Sequence, residues 1–171
     1  EVIRWHLAGR DDRGADFVAG IYPMLLDETC FFLAIDFDKT HWKEDTRAVL
    51  EMCARTGVPA VLERSRSGNG GHVWFFFAEA IPAALARRLG AHILTETMDL
   101  RPDIGLDSYD RFFPNQDTLP QGGFGNLIAL PQVVIGLAVT RDGIPVRCWT
   151  FPGNTTDVKT IAEVKASLAG W

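Results

Sequence analysis

An apolar run that ends in two aspartates one residue apart, Leu33-Ala34-Ile35-Asp36-Phe37-Asp38, constrains this chain more than any other stretch. The segment from Cys30 to Phe37 has the length and composition of a buried strand. Side chains alternate across a strand, so Asp36 and Asp38 point to one face while Phe37 packs on the other. Strand geometry sets their carboxylates about 6–7 Å apart, and like charges that close repel unless a cation lies between them. A hard divalent ion, Mg²⁺ or Mn²⁺, is the partner that carboxylate oxygens suit. The plainer reading is one exposed strand-end aspartate and one turn-forming aspartate.

The rest of the chain sets the frame for that pair. With 171 residues, 47% hydrophobic and 23% charged, it reads as one soluble domain, or one domain plus a fragment. A formal net charge of −5 argues against indiscriminate binding to phosphate backbones, although a local basic strip can still hold nucleic acid. Its three cysteines, Cys30, Cys53 and Cys148, lack metal-ligand spacing, and Cys30 and Cys53 read as reduced, buried thiols. Neither a secretory signal nor a membrane-length apolar run is visible, so a cytoplasmic setting with no membrane contact is expected. The chain begins without methionine and stops at Trp171 in mid-pattern, as a fragment does.

Along the chain, the charged turn Arg10–Gly14 leads into a short strand candidate, Phe17 to Tyr22. After the aspartate strand, Asp45 or Thr46 can cap a helix that puts Val49, Leu50, Cys53 and Ala54 on one face, and Gly57 ends it. Val58–Glu63 and His72–Phe77 read as a hairpin around the glycine-dense turn Ser65-Arg66-Ser67-Gly68-Asn69-Gly70-Gly71. Trp74 and Phe75–Phe77 read as core with one exposed face. Pro82 suits the first turn of a helix over Ala83–Thr97, with Leu85, Leu89 and Ile93 in a stripe. Irregular sequence follows from Arg101 to Gly125, then a short strand at Asn126–Leu130. This order predicts an α+β fold, a split βαβ layout of the RRM or ferredoxin type with an antiparallel or mixed sheet. Beyond Pro131, a hairpin of Val133–Thr140 and Val146–Trp149 around Asp142-Gly143 precedes a helix over Thr156–Leu168.

The glycine turn supplies the second half of a site. Gly68, Gly70 and Gly71 let backbone approach an anion closely, and most such turns are nonetheless plain hairpins. Ser65 and Ser67 offer hydroxyls, Arg64 and Arg66 offer charge, and His72 can donate to a phosphate as the next strand begins. Lys39, beside the aspartate pair, either touches a phosphate or faces solvent. Arg87 and Arg88 read as a solvated helix face more readily than as a template contact. Two ions holding an in-line phosphoryl displacement need more than two ligands, so a third carboxylate is wanted. Asp110, ahead of Phe112 and Phe113, is the first choice, with Asp107 and Asp117 as alternatives.

Taken in order, Ile35-Asp36-Phe37-Asp38, then Ser67-Gly68-Asn69-Gly70-Gly71-His72, then a later aspartate resemble the archaeo-eukaryotic primase superfamily. Glu63–Gly70, Phe113-Pro114-Asn115-Gln116-Asp117 and Gly122–Pro131 are similar to the primase domain of TOTE conflict systems. The resemblance spans residues 1–131. It implies that Asp36, Asp38 and Asp110 hold Mg²⁺ or Mn²⁺ and that Ser65, Arg66, Ser67, Gly68, His72 and Lys39 meet the nucleotide. It also implies a primase-polymerase nucleotidyltransferase with nucleoside triphosphates, a single-stranded DNA or RNA template and a helicase as partners. A non-catalytic nucleotide-binding or nucleic-acid-binding module is the alternative. Residues 132–171, with Val134–Val146 and Phe151–Asp157, resemble a fragment of a DDE-class insertion-element transposase. Asp142 and Asp157 match non-catalytic positions there, so an inactive remnant joined by gene fusion is expected, adding to the first domain's sheet, loosely ordered, or self-associating.

Overall fold

In the computed structural model the described residues are 1–103 and 105–131, the backbone of 133–139 and 145–152, and residue 166. They form two compact units, Gly20–Ala129 and the combination of Glu1–Ala19 with Leu130–Trp171.

The larger unit contains β1 (Gly20–Ile21), β2 (Thr29–Asp38), α2 (Trp42–Thr56), β3 (Val61–Arg64), β4 (Gly70–Pro82), α3 (Ala83–Leu100), β5 (Tyr109–Phe113) and β6 (Ile128–Ala129). Its main sheet has the order β3-β4-β2-β5 with every neighbouring pair antiparallel. That is the expected α+β fold, with the aspartate strand β2 at the centre between β4 and β5. The expected Phe17–Tyr22 strand shortens to β1, which pairs with β6.

Alternation along β2 divides the sheet into two faces. Leu33, Ile35 and Phe37 join Val73 and Phe75 of β4, Val49, Met52 and Cys53 of α2, and Ala86, Ile93 and Leu94 of α3 in one core. Both helices therefore lie against the same face. Asp36, Asp38 and His72 belong to the other. Within the aromatic run, Trp74 and Phe75 are buried, whereas Phe76 is exposed.

Both helices differ in detail from the sequence expectation. α2 starts at Trp42, ahead of Asp45, because Trp42 is buried and extends the apolar face by a turn. Asp45 is consequently an internal residue of the first turn. Gly57 does end the helix, in the left-handed conformation with φ 72° and its N–H on Cys53 O. In α3 the buried stripe is Ala83, Ala86, Gly90, Ile93, Leu94 and Thr97; of the expected residues Ile93 is in it, Leu89 packs against the core and Leu85 is exposed. Close approach to the sheet selects the small residue at Gly90. A Cβ on Gly90 would lie 2.8 Å from Phe112 and 3.0 Å from Leu33.

In the smaller unit, α1 (Val2–Ala8), which the sequence reading missed, ends at Gly9 with φ 70°. Asp11 organises the charged turn by accepting from the N–H groups of Arg13 and Ala15, at 2.9 Å each. β7 (Val133–Val139) and β8 (Pro145–Pro152) pair antiparallel as a separate two-stranded sheet, in place of an extension of the main one. The Asp142-Gly143 turn and, Ala166 apart, the expected helix over 156–168 lie outside the described residues.

Candidate metal centre

Three carboxylates meet where β2 ends. Asp36, Asp38 and Asp110 each offer an oxygen, and these oxygens lie within 4.8 Å of one another. β2 supplies the first two by alternation. The third arrives through a bulge: Asp36 pairs with Arg111 and Phe37 with Tyr109, which leaves Asp110 as the extra residue. A bulge turns the additional side chain off the regular alternation. Asp110 is thereby brought to the aspartate face while Tyr109 packs against Phe37, with ring centroids 6.3 Å apart.

A buried tether fixes that bulge. Asp45 of α2, only 3% exposed, accepts from Ser108 N–H at 3.2 Å and from Ser108 Oγ–H at 2.5 Å. The Ser108 carbonyl accepts the N–H of Asp38 at 2.7 Å. One serine thus links the helix, the central strand and the approach to β5. Leu106, with φ 52°, makes the turn that closes through Tyr109 N–H on Leu106 O.

Opposite β2, the glycines of β4 leave room for the cluster. A Cβ on Gly70 would stand 2.4 Å from Asp38 Oδ1 and 2.6 Å from the Phe37 carbonyl. On Gly71 it would press on Trp42 at 3.0 Å. His72 pairs directly with Asp36, and its side chain is 9% exposed. Its Nε2 lies 3.4 Å from Asp36 Oδ1, and its Nδ1 lies 3.1 Å from Glu63 Oε2. Burial disfavours a charged imidazole, but hydrogen bonds to Asp36 and Glu63, with their charges, raise its pKa to about 9. Asp38 also titrates above its ordinary value, first because it is partly buried and then because Asp36 and Asp110 face it. A carboxylate crowded by two others is the electrostatic condition a bound cation relieves, so these residues fit a divalent ion.

The turn between β3 and β4 is a tight hairpin with its own bonding. Arg64 grips the Gly68 carbonyl through Nε at 2.9 Å and Nη2 at 2.7 Å. The N–H groups of Ser65 and Gly68 bond to Gly70 O and Ser65 O, and Asn69 N–H bonds to Ser67 Oγ. Ser65 Oγ and Ser67 Oγ are 3.0 Å apart. Of the glycine amides expected to cradle an anion, that of Gly68 is therefore used within the turn, while Arg66 and Ser67 are exposed. Lys39 follows Asp38 at φ 75°, also exposed, where the chain leaves the sheet for α2.

The alternative third ligands lie elsewhere. Asp117 pairs with Arg87. Asp107 lines a separate cavity of about 330 Å³ with His41, Glu44, Asp45, Arg101, Asp103 and Gly105. Glu63, Asp45 and Ser108 were missed from the sequence. Glu63 had a usable signal, because counting outward from the hairpin turn puts it opposite His72.

An antiparallel α+β sheet with α2 and α3 on one face and three carboxylates gathered on the opposite one defines a class of domain whose oxygen donors suit a divalent cation. The chain belongs to the family described as TOTE conflict system, Archaeo-Eukaryotic Primase domain, whose model matches residues 1–136. A primase-type nucleotidyltransferase domain, with nucleotides and nucleic acid as its substrates, is what that membership indicates. No curated protein sequence matches the chain. Among the described residues no helix is long and apolar enough to cross a membrane.

Proposed function

We propose that this chain is a divalent-metal-dependent nucleotidyltransferase of the primase-polymerase type. The observation that carries this reading is the convergence of Asp36, Asp38 and Asp110 beside His72 on one sheet face. In the reaction, a primer 3′-hydroxyl or a first nucleotide attacks the α-phosphate of a nucleoside triphosphate. The new O–P bond forms, the α–β anhydride breaks, pyrophosphate leaves and the hydroxyl proton passes to solvent. Asp36, Asp38 and Asp110 would hold Mg²⁺ or Mn²⁺, which when bound acidifies the attacking hydroxyl and neutralises the departing pyrophosphate.

The chain's own side chains do the rest by placement. His72 Nε2, 3.4 Å from Asp36 Oδ1, sets an imidazole nitrogen within reach of an anionic group at the carboxylates. Ser65, Arg66, Ser67 and Gly68 sit on the turn that enters β4, where Arg66 and the serine hydroxyls meet phosphate oxygens, and Lys39 adds charge from the other side. A single-stranded DNA or RNA template and a helicase complete the assembly we envisage.

Labelled-nucleotide incorporation on a single-stranded template, with Mg²⁺ or Mn²⁺ and again with chelator, tests the reading. Metal-dependent incorporation that Asp36→Ala with Asp38→Ala abolishes supports it. Nucleotide binding with no incorporation under any metal favours a non-catalytic binding module. A further proposal concerns origin: residues 132–171 are a transposase-like fragment joined to a primase-like domain of residues 1–131. The family match covers residues 1–136, so it takes in the first five residues of that segment and leaves 137–171 outside the family. Deleting residues 132–171 tests whether that segment packs, through loss of solubility, or is a passenger.

A further inference from the structure

His72 is held from behind. Glu63 lies directly across from it in the β3–β4 pairing, on the face of the sheet opposite α2 and α3. A single oxygen, Glu63 Oε2, lies 3.1 Å from His72 Nδ1 and accepts from Trp74 Nε1–H at 2.9 Å. Trp74 is itself immobilised. It is 6% exposed, its ring is stacked on Phe76 at 5.8 Å and 6°, and it meets Phe32 at 5.2 Å. The indole N–H therefore fixes the carboxylate, and the carboxylate fixes the imidazole.

An imidazole has two chemically distinct nitrogens, and the partner of one decides what the other presents. With Nδ1–H donated to Glu63, Nε2 is the nitrogen facing Asp36 Oδ1, at 3.4 Å. Glu63 is outside the group of carboxylates that could share an ion. Its chemistry reaches the site only through the histidine.

We propose that Glu63, anchored by Trp74, is the positioning residue that orients His72 so that Nε2 faces the incoming nucleotide's phosphates. This rests on the nucleotidyltransferase reading for its substrate, but the orientation itself is measurable without turnover. Removing an orienting partner behind a functional histidine lowers activity on the order of 10- to 100-fold. Glu63→Gln retains an amide oxygen that accepts from both donors, whereas Glu63→Ala removes it.

The test uses the full chain with four variants: Glu63→Ala, Glu63→Gln, His72→Ala and the double Glu63→Ala/His72→Ala. Incorporation should fall similarly in both single alanine variants, and the double variant should be no worse than His72→Ala, because both changes remove one function. Glu63→Gln should restore most of the rate. Independent losses that multiply in the double variant, or a Glu63→Gln loss as deep as Glu63→Ala, would overturn the proposal. A second arm reads the ring directly by ¹⁵N NMR of histidine-labelled protein, with thermal melting to verify the fold. An exchange-protected His72 Nδ1–H in the parent and in Glu63→Gln, lost in Glu63→Ala, supports the proposal. An unprotonated Nδ1 in the parent overturns it. A parent chain that never incorporates nucleotide defeats the nucleotidyltransferase reading and leaves the NMR arm to decide the orientation.

Discussion

Without metal, the chain should lose stability as pH rises from 6.5 toward 9, and His72 should account for the loss. Its imidazole, 9% exposed at the side chain, titrates at about 9 in the fold against 6.5 for an unconstrained histidine. A folded pKa above the unfolded one means that the native state holds the proton more tightly. The contribution is therefore complete below pH 6.5 and gone above 9. About 2.5 pH units at 1.36 kcal/mol each gives a loss of about 3 kcal/mol across that window. Urea denaturation with chelator, at intervals from pH 6 to 8.5, measures the slope. The upper limit avoids the thiols of Cys30 and Cys53, which burial pushes above their ordinary value of 9.0. Replacing His72 with glutamine keeps a polar side chain of similar reach that does not titrate, so the slope should flatten. If the parent is flat over this range, or if His72→Gln keeps the same slope, the Asp36–His72–Glu63 electrostatics described above are wrong.

Three further perturbations probe the scaffold of the site. Gly70→Ala forces a methyl against Asp38 Oδ1 and the Phe37 carbonyl, and should cost about 1–3 kcal/mol in urea denaturation while weakening Mn²⁺ binding measured by calorimetry. Asp45→Ala strips the buried Ser108 N–H and hydroxyl of their acceptor, with an expected loss of about 1–3 kcal/mol and a weaker cation site. Asp38→Asn removes one of three crowded charges, so it should raise the melting midpoint in chelator and abolish the further rise that Mn²⁺ gives the parent.

Local patterns made part of this site legible in advance. Period-two alternation at the end of an apolar run placed Asp36 and Asp38 together, and two following phenylalanines singled out Asp110. Phe112 and Phe113 are indeed buried, at 9% and 7% exposure. Pattern alone could not show that Asp110 needs a bulge to reach the site, since a regular strand would alternate it away from Arg111. β5 went unread for the same reason, being five residues within a turn-rich stretch. Asp45 looks like a helix cap in sequence because a cap and a buried tether use the same carboxylate chemistry. Only the path of Ser108, sixty-three positions later, distinguishes them. Of the expected α3 stripe, Ile93 is buried and Leu89 packs against the core, and only Leu85 is exposed, because the sheet's proximity favours alanine and glycine at the closest positions. Glu63 depends on cross-strand register, which no local window contains.

The central claim is that Asp36, Asp38 and Asp110 share a divalent cation. Anomalous diffraction from crystals soaked in Mn²⁺ and a non-hydrolysable nucleoside triphosphate tests it most directly. A peak within coordination distance of oxygens from all three carboxylates, with the triphosphate on its open side, is the predicted result. Nucleotide bound elsewhere, or Mn²⁺ found only away from these residues, would contradict it.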